Sequence, residues 1–132
     1  VQGGKIHSDL GSGWYIEPTI FDNVTADMTL FQQEVFGPIL AVTTFTSDEE
    51  AVALANNSSY GLAASLYTES LKRAQRVSRA IRAGTVSING FSEGDITTPF
   101  GGFKQSGFGG RDKGLEALQQ YVQTKTIWYV QD

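Results

Sequence analysis

Gln33-Glu34-Val35-Phe36-Gly37-Pro38-Ile39-Leu40-Ala41-Val42 is the stretch on which the reading of this chain turns. Gly37-Pro38 is a break signal, because glycine permits unusual backbone angles while proline fixes φ and has no amide hydrogen to donate. Ile39 to Phe45 is then β-branched and apolar, so Pro38 opens a strand and Glu34 and Phe36 stand at its mouth. Residues that lead into a strand of an α/β sheet are often held where a ligand reaches them. Taken alone, Gln33 to Pro38 allows two readings: a ligand-facing acid and ring, or a solvated acid beside an ordinary core ring.

Upstream of this stretch, Val1 to Gly13 is polar and glycine-rich and reads as a loop or disordered lead-in. Trp14 to Phe21 alternates like a strand that Pro18 breaks or confines to an edge. Asp22 to Asp27 is turn-like, and Met28 to Gln33 has room for a helical turn. Downstream, Ser47-Asp48-Glu49-Glu50 starts a helix. Ser47 caps the amides, Glu50 reaches back, and the acids complement the positive end of the helix dipole. Ala51, Leu54 and Ala55 repeat on one face before Asn56-Asn57 ends the run.

Leu62 to Tyr67 is a short apolar strand. The spacing of Leu71, Ala74, Val77, Ser78 and Ile81 predicts a helix from Ser70 to Ala83, with Gly84 as its C-terminal cap. Its other face carries Lys72, Arg73, Arg76, Arg79 and Arg82, either a solvated face or a seat for phosphates or an acidic partner. Thr85 to Ile88 is the next strand. Ile39 to Ile88 thus reads strand–helix–strand–helix–strand, which implies right-handed crossovers, a largely parallel sheet and an α/β fold class.

After Asn89 the character changes. Gly90 to Arg111 has no period and is rich in Gly and Phe, and a loop of that length inside a domain is usually functional. Leu115 to Tyr121 is a short helix. Val122 to Val130 alternates β-branched and aromatic residues, a strand in need of a partner, with Lys125 guarding its edge. Pro99 to Gly107 invites a phosphate-loop reading but lacks the required Gly-Lys-Ser/Thr: Lys104 is followed by Gln105, and the glycines from Gly107 to Gly110 discourage a helix. Tight turns holding Phe100 and Phe103 against the sheet are the alternative.

Composition narrows the chemistry. The chain has 132 residues, enough for one domain with a core, and is 40% hydrophobic and 18% charged. A net charge of −4 argues against nucleic acid as a partner. No apolar run approaches the roughly 20 residues of a membrane helix, and no leader is evident, which together favour the cytoplasm. There is no cysteine, hence no disulfide, thiolate metal site or thiol nucleophile. His7 is the single histidine and reads as a solvated surface residue, so neither a Ser-His-Asp triad nor a metal cage can be assembled. The chain begins at Val1, and its only methionine is Met28, as in a piece of something longer. The residues by themselves describe an α/β domain with a ligand-facing loop and no chemistry of its own.

Several stretches resemble the aldehyde dehydrogenase superfamily, at the end of its catalytic domain. They are Gly13 to Thr19, Gln33 to Pro38, Ala55 to Leu62, Ala83 to Val86 and Pro99 to Gly107, in the family's order and close to its spacing. The resemblance implies a part of that catalytic domain over 1–121 and an oligomerisation strand over 122–132. The family oxidises aldehydes to carboxylic acids with NAD or NADP: a cysteine thiolate attacks the carbonyl, hydride passes to the nicotinamide, and a glutamate-activated water releases the acid. The nucleophile and that glutamate precede the matched region, so the resemblance implies that this polypeptide is inactive alone.

What the resemblance assigns is positioning. Glu34 matches the glutamate that binds the nicotinamide ribose, and Phe36 the aromatic residue beside the nicotinamide. Asn89 to Thr98, with Phe91, Glu93 and Asp95, matches the loop lining the substrate entrance, and Phe100 a ring at the aldehyde pocket. Gly94-Asp95-Ile96-Thr97 is similar to the branch acting on polyamine-derived aldehydes such as γ-glutamylaminobutyraldehyde. There the loop acids would pair with a substrate ammonium, or stand as plain solvated acids. Val122 to Val130 implies a homodimer or tetramer. A non-catalytic interaction or assembly module on the same scaffold is the alternative from another class.

Overall fold

Two pairs of parallel strands organise the chain in the computed structural model, which describes residues 1–92 and 94–131. The pairs belong to two separate units, one from Val1 to Ser58 and one from Ser59 onward.

In the first unit, β1 (Thr19–Phe21) and β2 (Ile39–Ala41) pair in parallel with Thr19 opposite Ile39 and Phe21 opposite Ala41. A single helical turn, α1 (Thr29–Gln32), lies on the connection, and α2 (Asp48–Asn56) follows β2. β2 is shorter than the expected run to Phe45. Asn23 takes a left-handed φ of 55° and turns the partner chain, although contact persists where the Val24 amide donates to the Val42 carbonyl at 3.0 Å. Thr19 is buried, and its hydroxyl donates to the Glu17 carbonyl at 2.7 Å, which satisfies the one polar group taken out of water there.

The opening segment is not the loose lead-in its composition suggested. Gln2 and Ile20 exchange both backbone hydrogen bonds at 2.9 and 2.8 Å, the His7 amide donates to the Tyr15 carbonyl, and Ser8–Leu10 forms a 3-10 turn. An edge of β1 would otherwise present unpaired amides, and the opening residues cover it. Gly3 makes this possible: it sits at φ +86°, and a Cβ there would press on the Pro18 carbonyl oxygen.

The start of α2 matches its sequence signature with one displacement. Ser47 Oγ accepts from the Glu50 amide at 3.1 Å, but the Glu50 carboxylate reaches past Ser47 to the amide and hydroxyl of Thr46, both at 2.7 Å. The Thr46 hydroxyl, and then its amide, hold the Glu50 carboxyl below the ordinary glutamate value.

In the second unit, β3 (Ala63–Leu66) and β4 (Thr85–Ile88) pair in parallel, with α3 (Leu71–Ala80) between them in sequence. Ser70 caps α3 by accepting from the Arg73 amide at 3.3 Å. Ala74 and Val77 bury the helix face that the spacing had marked. The helix closes at Ala80 rather than Ala83, with the Ile81 amide donating to the Val77 carbonyl. Gly84 is therefore no cap. It is needed for close approach, since a Cβ on it would lie against the Gly101 carbonyl oxygen.

The parallel strands are those expected, but they do not form one run: β2 takes β1 as its partner, and β4 takes β3. The C-terminal stretch also departs from expectation. Val122 is extended, with φ −129° and ψ 154°, but among the described residues 122–131 pair with no strand. A ladder needs a second backbone, and nothing described supplies one. No described helix is long and apolar enough to cross a membrane.

Candidate functional site

Glu34 and Phe36 ride on a backbone fastened at both ends. Behind them, the Gln33 amide donates to the Thr29 carbonyl at 2.9 Å and closes α1. Ahead, the Gly37 amide donates to the Val35 carbonyl at 2.9 Å, and the Ile39 amide to the Gly37 carbonyl at 2.8 Å. These are two three-residue turns in succession, centred on Phe36 and Pro38. The Pro38 carbonyl then accepts from the Thr19 amide at 2.8 Å, which joins the bend to the strand pair.

The bend turns its side chains outward. Phe36 is 94% exposed, so it is not a core ring in this unit. Glu34 is exposed too, and among the described residues nothing hydrogen-bonds or pairs with its carboxylate. An ionised carboxylate has two acceptor oxygens, enough to take both hydroxyls of a vicinal diol. The residues present therefore fit a ribose contact beside a flat aromatic face.

The second unit carries the other expected positions. Asn89, at φ 54°, ends β4 and opens the aperiodic loop, while its carboxamide spans the backbone of Thr68. Ser87 Oγ donates to the Ser92 carbonyl at 2.8 Å, and Phe91 is 81% exposed. Glu93 lies outside the described residues. Asp95 Oδ1 accepts from the Thr97 amide at 2.7 Å and from the Thr97 hydroxyl. The Thr97 hydroxyl first, then its amide, with the Lys113 charge adding a little, hold this carboxyl below the ordinary aspartate value. It is thus an exposed carboxylate that also builds its own loop.

Phe100 is half-buried and exchanges backbone hydrogen bonds with Asp112, both at 2.7 Å. The Lys113 ammonium stands 5.1 Å from its ring centroid, a cation–π contact. A cavity of about 240 Å³ opens beside the ring, lined among others by Leu62, Ser106, Phe108 and Asp112. The glycine-rich run from Pro99 to Gly107 is not an anion cradle. The Phe103 and Gln105 amides donate to the Gly61 and Ser59 carbonyls, and the Gly61 amide to Ser106 Oγ, so these donors are turned into the protein.

His7 is more engaged than a solvated surface residue. Its Nε2 lies 3.1 Å from Glu17 Oε1 and its Nδ1 3.4 Å from Asp9 Oδ1. Three features escaped the sequence reading: the Lys113–Phe100 contact, the Asn89 clasp, and the hold of Gln32 on Ala26 and Asn57. Each joins residues with no periodic relation, and only an Asn at a strand end followed by Gly hinted at a built turn.

Known proteins resemble this chain over nearly its whole length. The family model described as "Aldehyde dehydrogenase family" matches residues 1–127. An aminoacetaldehyde dehydrogenase of Pseudomonas aeruginosa is 57% identical over 117 residues, which are 89% of this chain and 24% of that protein. The NADP/NAD-dependent aldehyde dehydrogenase PuuC of Escherichia coli is 53% identical over 113 residues, 86% of this chain and 23% of the relative. Among solved structures, the P. syringae indole-3-acetaldehyde dehydrogenase AldA, in complex with NAD+ and IAA, superposes with a TM-score of 0.89 at 50% identity. It covers 98% of this chain, which spans 26% of it. The chain therefore spans about a quarter of the length of these relatives. With a matching model over nearly its whole length and half its residues identical to a solved relative, the chain belongs to the aldehyde dehydrogenase family.

Proposed function

We propose that these residues serve an oxidoreductase that converts aldehydes to carboxylic acids with NAD(P)+, acting in the cytoplasm as a homo-oligomer. Glu34 binds the two hydroxyls of the nicotinamide ribose, and Phe36 packs beside the nicotinamide. The cofactor, when bound, accepts the hydride. The part of this chain is to hold the ring in register with the carbonyl, an orientation effect in which small misplacements carry large rate factors. Phe91, Glu93, Asp95 and Phe100 line the way in for the aldehyde, and Val122 to Val130 adds an assembly strand. The chain has no cysteine, so the acyl-forming nucleophile comes from other polypeptide of the same enzyme.

The observation that carries this reading is the bend itself: an exposed carboxylate with no partner among the described residues, beside an outward ring, on a backbone tied at both ends. The exposure of Trp14, Phe108 and Trp128 supports a place within a larger assembly. The aminoacetaldehyde dehydrogenase relative supports an amine-bearing aldehyde as substrate, with Asp95 anionic at neutral pH to meet the ammonium. The test is a single-turnover measurement in the full-length enzyme carrying this sequence. Glu34→Gln is expected to slow hydride transfer about 10- to 100-fold while leaving binding of the adenosine end nearly unchanged. An unchanged rate overturns the assignment and favours a non-catalytic assembly module.

A further inference from the structure

Gln32 is the last residue of α1 and stands two residues ahead of Glu34. One turn of helix has almost no stability of its own, because nucleation fixes several residues for a single hydrogen bond. α1 has no side-chain cap at its start and no fully buried residue to anchor it. Beyond the backbone bonds of its single turn, such as Gln33 amide to Thr29 carbonyl, its end is held by the Gln32 carboxamide. The same Nε2 donates to the Ala26 carbonyl at 2.9 Å and to the Asn57 carbonyl at 3.3 Å, reaching 6 and 25 residues along the chain. Asn57 caps the C-terminus of α2, where the last carbonyls have no partner inside the helix. Both hydrogens of one amide are thus spent on fixing where α1 ends, between the turn before it and the end of α2.

We infer that Gln32 is the positioning residue of the Glu34 site, holding the exit of α1 so that the Glu34 carboxylate is presented in one place. The inference rests on the ribose-contact reading of Glu34, and it adds a residue that touches neither cofactor nor substrate. Chemistry dictates which side chains can do this. Two carbonyl oxygens need two donated hydrogens, so an amide or an ammonium serves and a carboxylate does not. A glutamate of the same shape would set like partial charges against each other.

The experiment uses the full-length enzyme and four variants: Gln32→Ala, Gln32→Glu, Gln32→Lys and Glu34→Gln, with the Gln32→Ala/Glu34→Gln double variant. Single-turnover hydride transfer is followed at saturating NAD+, together with the KM for aldehyde and the thermal midpoint. Gln32→Ala and Gln32→Glu are expected to slow hydride transfer about 5- to 20-fold with the KM for aldehyde unchanged, and Gln32→Lys to restore most of it. The double variant is expected to be no slower than Glu34→Gln alone, since a misplaced carboxylate and an absent one cost the same step. A parental rate in Gln32→Ala overturns the inference. So does a double variant whose losses multiply, or a Gln32→Lys enzyme that regains its thermal midpoint but not its rate. If Glu34→Gln itself keeps the parental rate, it is the ribose reading that has failed, whatever Gln32 does.

Discussion

Asn89 grips the backbone of Thr68 with both ends of its carboxamide: Oδ1 accepts from the Thr68 amide at 2.8 Å, and Nδ2 donates to the Thr68 carbonyl at 2.9 Å. The pair ties the end of β4 to the chain just past β3, at the point where the aperiodic loop departs. Asn89→Ala is expected to lower stability by about 1–3 kcal/mol, because both hydrogen bonds and the left-handed tolerance of Asn go together. Asn89→Asp keeps the acceptor and loses the donor, so it falls between. Urea denaturation measures the first effect, and faster amide exchange at Thr68 locates it.

Gly84 sits where no side chain fits, because its absent Cβ would press on the backbone of Gly101. Backbone cannot swing aside as the tip of a side chain can. Gly84→Ala is expected to cost about 2–3 kcal/mol or to displace the run from Pro99 to Gly107 away from β4. A thermal midpoint within a degree of the parent would show that the two segments separate without penalty.

Glu50 gives the first turn of α2 a pH dependence with a defined sign. Its carboxyl is lowered chiefly by the Thr46 hydroxyl, so the folded state favours the anion. The contribution is complete above the ordinary glutamate value of about 4.3 and disappears as pH falls through the lower folded value. Exchange of the α2 first-turn amides, corrected for intrinsic chemistry, is expected to accelerate below about pH 4. In Glu50→Gln that acceleration should be absent.

On the proposed reading, in which the aldehyde carries an ammonium, Asp95 and Lys113 act on it in opposite senses. Lys113 stands over Phe100 and its charge also favours the Asp95 anion, so it competes with an incoming ammonium. In the full-length enzyme, Asp95→Asn is expected to lower the kcat/KM ratio of 3-aminopropanal to propanal about 3- to 10-fold, and Lys113→Met to raise it. If neither ratio moves, Asp95 serves only its own loop through Thr97.

Much was legible in the residues because it is local. Ser47 caps the helix it was expected to cap, and Ser70, read as the first residue of the next helix, proves to be its cap, since a cap reaches only three residues ahead. Ala74 and Val77 are buried because a 3.6-residue period puts them on one face whatever the partner. β4 and the Gly37-Pro38 bend fall where turn chemistry places them. Legibility fails where a backbone group is offered to whichever neighbour arrives. The opening residues are polar and glycine-rich, yet Gln2 pairs with Ile20, because an open strand edge outweighs local propensity.

The amino-acid sequence by itself determined the α/β character, the parallel strands, the family and the identity of Glu34 and Phe36 as the residues ahead of the bend. Only the tertiary structure decided that β2 pairs with β1, that Phe36 faces outward, that the stretch after Val122 takes no partner among the described residues, and that Gln32 spans two distant carbonyls. The physical reason is range. Period, cap and turn are settled within a few residues, whereas strand partners, exposure and side-chain clamps are settled by segments that meet only once the chain has closed on itself.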